Sequence, residues 1–329
     1  MKRSMLLAFL TPLAAILLAL GCDTPADGGQ HQPPVNTTEY VADKMNDRIV
    51  MLDSEGNTAG FYEFVTRPTD VSLFPGVDAL WIADYSGDRV VRLDLDLGFV
   101  AATEDGLLND PIAVSVTADK ECWVADRVNH AFVRLSSWAG ELGRVTVDGP
   151  TRCVAWDEAN GYCWCADEDG NLYAFDADLT GDGTSADARV TVTGLGVVRG
   201  LAVDPDGDRV WFSDSAGDRV FCLDSDGGIS FTATDIEDPR GLSLDSDGDC
   251  WVAARGGSVL LLDAGDGAVL ESYEDLNGPV DVSAEPGGGV WVVEETGGKA
   301  KLLRDGDTVL TAEGFSSPAA VVVYDPKLW

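Results

Sequence analysis

The chain has 329 residues, 45% of them hydrophobic and 24% charged, and a formal net charge of −35. That is enough apolar material for a large core. A surface so anionic repels nucleic-acid phosphates and anionic lipid headgroups, so nucleic acid is excluded as a partner and a membrane is reachable only through an anchor. Lysine occurs only at positions 2, 44, 120, 299, 301 and 327. An aspartate-rich, lysine-poor surface suits a salty medium, where counterions screen self-repulsion, and equally suits a soluble extracellular protein.

The first element in chain order is a sorting signal. Lys2 and Arg3 precede the apolar run LLAFLTPLAAILLAL (6–20), which is short for a membrane span and ends in small residues. It leads into LALGC (18–22), which resembles the lipobox of bacterial lipoproteins, with Ala19 where leucine is usual. The resemblance implies a signal peptide over 1–21, lipidation of Cys22, and an extracytoplasmic location in the cell envelope. Residues 22–39 (CDTPADGGQHQPPVNTTE) have no apolar period and read as a flexible tether.

From residue 40 a unit recurs: YVADKMNDRIVMLD (40–53), WIADYSGDRVVRLD (81–94), WVADRVNHAFVRLS (123–136), WCADEDGNLYAFD (164–176), WFSDSAGDRVFCLD (211–224), WVAARGGSVLLLD (251–263) and WVVEETGGKAKLLRD (291–305). The acid or its replacement stands at 43, 84, 126, 167, 214, 254 and 294, a period near 40 broken once by a step of 47. Each unit resolves into short alternating strands separated by turns such as DPDGD (204–208) and SAGD (215–218). A strand headed by proline or its equivalent precedes each Trp strand, as in PIAVSV (111–116), RGLAVD (199–204), PRGLSLD (239–245) and PVDVSA (279–284).

Four antiparallel strands at this period make a propeller blade. One blade exposes two apolar faces, and only neighbours in a closed ring cover both. The first unit lacks a proline-headed strand, and SPAAVVVYDP (317–326) is such a strand with no blade of its own. The pattern predicts an all-β, seven-bladed β-propeller over 40–326 in which the C-terminal strand joins the first blade; six blades is the alternative. The units resemble NHL repeats, most closely over RGLAVDPDGDRVWFSDSAGDRVFCLD (199–224), and are also similar to the YWTD repeats of receptor propellers. That resemblance speaks to fold, since propellers host binding proteins and enzymes alike.

Enzymes of related folds imply specific residues. Amidating lyases use several histidines around zinc, and streptogramin lyases need one catalytic histidine. This chain has His31 in the tether and His130 in a hairpin, poor material for a zinc site. Gluconolactonase-like propellers hold a divalent ion in the channel through Glu, Asn and Asp; Asp70 and Asp281 can approach the channel here, without a matching Glu–Asn pair. The insertion DADLTGDGTSADAR (176–189) resembles a dockerin or EF-hand calcium loop. Its candidate ligands are Asp178, Thr180, Asp182, Thr184 and Asp187, with Arg189 at the twelfth position where a bidentate acid belongs; a solvated acidic loop is the other reading. Asp43, Asp84, Asp126, Asp167 and Asp214 recur and so read as structural, bonding backbone of the turns that follow, with Arg48, Arg89 and Arg219 as ion-pair partners. Six cysteines follow Cys22; a Cys153 bridge to Cys163 or Cys165 is the one pairing worth testing, against buried free thiols.

The starts of the innermost strands border the channel. They carry Thr69 and Asp70, Ile112, Thr151 and Arg152, Arg199, Arg240, Asp281 and Ala319. Three arginines from consecutive blades can form an anion-accepting site for a carboxylate or phosphate. The competing reading pairs them with Asp148, Glu237 and Asp238. The functional expectation is a membrane-anchored binding scaffold for a protein or small-molecule ligand at the channel mouth or loops, with calcium as the only cofactor suggested. A metal-dependent lactonase or hydrolase is the alternative.

Overall fold

The computed structural model describes residues 37–74, 78–95 and 98–324. The signal peptide, Cys22, His31 and most of the tether lie outside them, and among the described residues no helix is long and apolar enough to cross a membrane. The described residues form seven sheets arranged as a propeller. In blade 5 the strands run Val198–Val203, Arg209–Asp214, Arg219–Asp224 and Ile229–Thr234. The turn between the first two shows why the sequence breaks there. Asp204 Oδ1 accepts the Asp206 N–H, and Gly207 takes φ +74°, a conformation that side chains disfavour.

Strand alternation decides what each blade buries. Trp211 shares an apolar cluster with Cys250 and Val252 of blade 6, while Phe212, its neighbour, shares one with Trp164 and Ala166 of blade 4. Seven such clusters are formed, one for each junction between adjacent blades. Trp81, Trp123, Trp164, Trp211 and Trp291 are all but wholly buried in them, and each removes the largest side chain available from water. Blade 1 uses Tyr40 instead.

The ring closes through both ends of the described chain. Pro318–Val323 pairs antiparallel with Thr37–Asp43, placing Val321 opposite Val41 and Pro318 opposite Asp43. Asp43 accepts the Ser316 N–H at 2.6 Å, and Met45 N–H reaches the Ser316 carbonyl at 2.9 Å. Seven blades, and closure by the C-terminal strand, are thus present as expected. The first strand begins at Thr37, inside the stretch read as tether. Its pairing sets its direction: Asp43 lies at the end where the innermost strands start, and Thr37 lies at the opposite face.

One expectation changes, and the choice between a Cys153 bridge and buried free thiols falls to the thiols. The insertion in blade 4 is no simple loop. Its Gly181–Thr184 forms a strand parallel to Glu141–Thr146 and becomes the fifth strand of blade 3. The disulfide is not formed: Cys122, Cys153, Cys163, Cys165, Cys222 and Cys250 are free and buried. The reason is the pleat. Cys153 lies opposite Ala166 and faces blade 5, whereas Cys163 and Cys165 face blade 3, with 3.6 Å between their sulfurs.

Candidate functional site

The six innermost strands of blades 2 to 7 are Pro68–Ser72, Pro111–Val116, Thr151–Asp157, Val198–Val203, Pro239–Leu244 and Pro279–Ala284. Each pairs with its Trp strand through a register break at its second residue, as does Pro318–Val323 in blade 1. A bulge turns the unpaired side chain away from the ladder. The residues so released are Thr69, Ile112, Arg152, Arg199, Arg240, Val280 and Ala319, and all seven line one cavity of about 250 Å³ on the propeller axis. Asp70 and Asp281, one residue deeper in blades 2 and 7, line it too. Thr151 does not. It is fully buried beside Asp167.

The blade acids hold these bulges in place. Asp84, Asp126 and Asp214 accept N–H groups of Thr66, Asn109 and Val197, at 2.5, 2.8 and 2.9 Å. Those donors lie in the connections that enter the innermost strands; Asp214 also accepts the Gly217 N–H of its own turn at 3.1 Å, as sequence reasoning assigned. Glu294 does the same for Asn277 at 2.8 Å, while Asp167 keeps to its own turn through Asp169 and Asn171. Arg48, Arg89 and Arg219 pair with Asp43, Asp84 and Asp214 at 2.7, 2.8 and 2.9 Å. Ser213 replaces the alanine of most other blades. It accepts the Gly200 N–H and donates to the Arg240 carbonyl, both at 2.8 Å, so it ties two arginine bulges together. The glycines after Arg199 and Arg240 are required by crowding. A Cβ on Gly200 would sit 2.1 Å from the Arg240 carbonyl, and one on Gly241 would sit 2.1 Å from Asp281 Oδ1.

The cavity has two charged arcs. Arg152, Arg199 and Arg240 come from blades 4, 5 and 6; Asp70 and Asp281 come from blades 2 and 7, flanking the alanines of blade 1. Pairing with nearby acids, the competing expectation, holds for Arg240 alone, whose Nη2 donates to Asp238 at 2.8 Å. No hydrogen bond reaches the side chain of Arg152 or Arg199 among the described residues, and the buried Nε atoms of Arg199 and Arg240 have no partner. Burial, reinforced by Arg199 and Arg240, lowers the Arg152 pKa. Burial pushes Asp70 up to about 7, with Arg152 acting the other way, and pushes Asp281 up to about 8, where the charge of Asp70 adds to the effect. Both carboxylates also cap backbone of the next blade, Asp70 at Val114 N (2.8 Å) and Asp281 at Val321 N (2.9 Å).

Sequence reasoning missed Lys44 and Glu295, which also line the cavity. Both directly follow a blade acid, and that position was the available signal. Burial lowers the Lys44 pKa, and Arg67 adds to the effect. Glu295 is held by Arg255 at 3.0 Å and by Ser317 at 3.2 Å.

The other candidates lie elsewhere. His130 does not line the cavity; its Nδ1 is 3.0 Å from the Asp148 carbonyl. The structure does not gather Asp178, Thr180, Asp182, Thr184 and Asp187 around one point. An extended strand sends Asp182 and Thr184 along the edge of blade 3, Thr184 and Asp187 cap one 3-10 turn together, and Arg189 pairs with Asp176. Among the described residues no group of three or more His, Cys, Asp or Glu side chains is arranged to hold a metal. The channel suits a divalent ion poorly, because Asp70 and Asp281 already bond backbone, Glu295 is held by Arg255, and three guanidiniums and Lys44 line the same cavity.

A sequence model of the SMP-30/Gluconolactonase/LRE-like region matches residues 155–279, less than half of the chain, including Arg199 and Arg240. No curated protein matches the sequence. The fold is similar to a functionally unknown protein from Desulfotomaculum acetoxidans DSM 771, with TM-score 0.74 and 13% identity over 88% of this chain and 99% of that one. Kuenenia stuttgartiensis hydrazine synthase gives TM-score 0.68 and 13% identity, covering 86% and 100%. A streptogramin B lyase gives 0.67 and 12%, covering 79% and 88%. At these identities the likeness is one of fold: a β-propeller.

Proposed function

We propose that the protein is an extracytoplasmic, lipid-anchored binding propeller that captures a carboxylate or phosphate group at its channel mouth. The observation that carries this reading is the convergence of Arg152, Arg199 and Arg240 on one cavity, two of them without an ion-pair partner, in a chain of net charge −35. Guanidiniums held side by side and partly desolvated favour bidentate contact with an oxyanion. The match over 155–279 supports a lactonase-type alternative, which the channel's side chains do not favour. Anchoring at Cys22 is supported by LALGC.

The test is the double variant Arg199→Gln, Arg240→Gln. Oxyanion binding by calorimetry should fall about ten-fold or more while the melting temperature barely moves. Unchanged binding per folded molecule would leave the arginines a structural role only. For the anchor, labelling with a palmitate analogue should be lost in Cys22→Ser, and full labelling of that variant would reject it.

A further inference from the structure

The acids across the cavity make the anion reading incomplete. Asp70 and Asp281 cap backbone N–H groups, but that task does not need a carboxylate. Ser72, Ser115, Ser243 and Ser283 do the same for Val116, Trp156, Ala284 and Val323 at 3.2, 2.9, 2.9 and 3.1 Å. At the strand position of Asp70 and Asp281 the other blades carry Ala113, Cys153, Gly200, Gly241 and Ala320. At this strand position acids therefore stand only on the wall that faces the arginines, and each keeps lone pairs beyond the two backbone N–H groups it accepts. A site for anions alone would not place carboxylates there, because they repel the ligand. Ionised without a cation beside them they make a costly pair, and burial keeps protons on them until one is supplied.

We propose that the channel takes a small zwitterion, its carboxylate on Arg152, Arg199 and Arg240 and its ammonium group between Asp70 and Asp281. The ligand then satisfies both arcs at once and offsets the desolvation of each. Size agrees: the cavity of about 250 Å³ equals about eight waters at ~30 Å³ each, room for a molecule of about eight non-hydrogen atoms. This inference rests on the anion reading and specifies the ligand for the same site.

Calorimetry on the full-length protein in detergent separates the two. The probes are 5-aminopentanoate, pentanoate, pentylamine and glutarate, with shorter and longer ω-amino acids to scan the spacing of the charges. The best amino acid should bind at least about ten-fold tighter than the carboxylate of equal length, and glutarate should gain nothing over pentanoate. In Asp70→Asn, Asp281→Asn that advantage should vanish while pentanoate binding persists. Asparagine retains an acceptor for Val114 and Val321, and each single variant should remove part of the advantage if the double variant folds poorly. Equal binding of amino acid and plain carboxylate across the length series, or an advantage untouched by the asparagines, overturns the zwitterion and leaves the anion site standing. Failure of every carboxylate probe overturns both.

Discussion

Asp281 lies between three blades, with Oδ1 against Gly241 and Oδ2 on the Val321 N–H. Burial holds it near 8 and Asp70 near 7, both well above the ordinary aspartate value of 3.8. Between about pH 4 and pH 8 the folded protein therefore keeps protons that the unfolded chain has released. Stability from these two groups is complete below the unfolded value and is lost as pH rises through 7 and 8. Asp70→Asn, Asp281→Asn removes the titration and keeps the acceptors, so its melting temperature relative to wild type should climb from pH 5 to pH 9. A difference that stays flat would show that channel water solvates both carboxylates fully. The identity of these residues was legible in the sequence, as was their approach to the channel. Their pKa was not, because it depends on strands some 40 residues away in the chain closing over each carboxylate.

At the scale of elements, the insertion in blade 4 works as a strap. Its Gly181–Thr184 lies along Glu141–Thr146, covering an edge that would otherwise be free. The strap fits because Gly143 is opposite it: a Cβ there would stand 2.8 Å from the Leu179 carbonyl. Gly143→Val should lift the strap at a cost of about 1–3 kcal/mol. Hydrogen exchange should then quicken over residues 181–184 while the Trp strands stay protected; unchanged exchange there would show that the strap does not depend on this contact. The sequence showed an insertion and an acidic pattern that resembles a calcium loop. It could not show a parallel pairing with the preceding blade, since no local signal in TGDGT distinguishes a strand from a turn. The bulges at the strand starts were hidden for a similar reason: an extra residue appears only when two strands are set in register.

The described chain is a ring of seven apolar junctions, and two of them depend on the last described strand. Val321 is buried with Val41, Val50 and Trp291 at the junction of blades 1 and 7, and Ala320 is buried at the junction of blades 1 and 2. Ending the chain at Phe315 removes these side chains, leaves Thr37–Asp43 paired on one side only and takes the Ser316 donor from the fully buried Asp43. At about 1.5–3 kcal/mol per buried aliphatic side chain, against a total margin of about 5–15 kcal/mol, the truncated protein should melt far below the parent or fail to fold. A cooperative melt at the parent temperature would show that six complete blades hold the ring alone.

The sequence by itself determined the blade count, the strand order, the closing strand and the positions that meet the axis. All of these follow from a period near 40, from alternation along each strand, and from the absence of an innermost strand in the first unit. Only the tertiary structure decided which of those positions enter the cavity, that most of the blade acids reach back to the preceding connection, and that Cys153 faces away from Cys163 and Cys165. It also set the arginines of blades 4 to 6 opposite the acids of blades 2 and 7. Repeats spell out what each blade does for its two neighbours. What seven blades do together depends on the curvature of the ring, which brings distant residues to one axis and cannot be read from any single repeat.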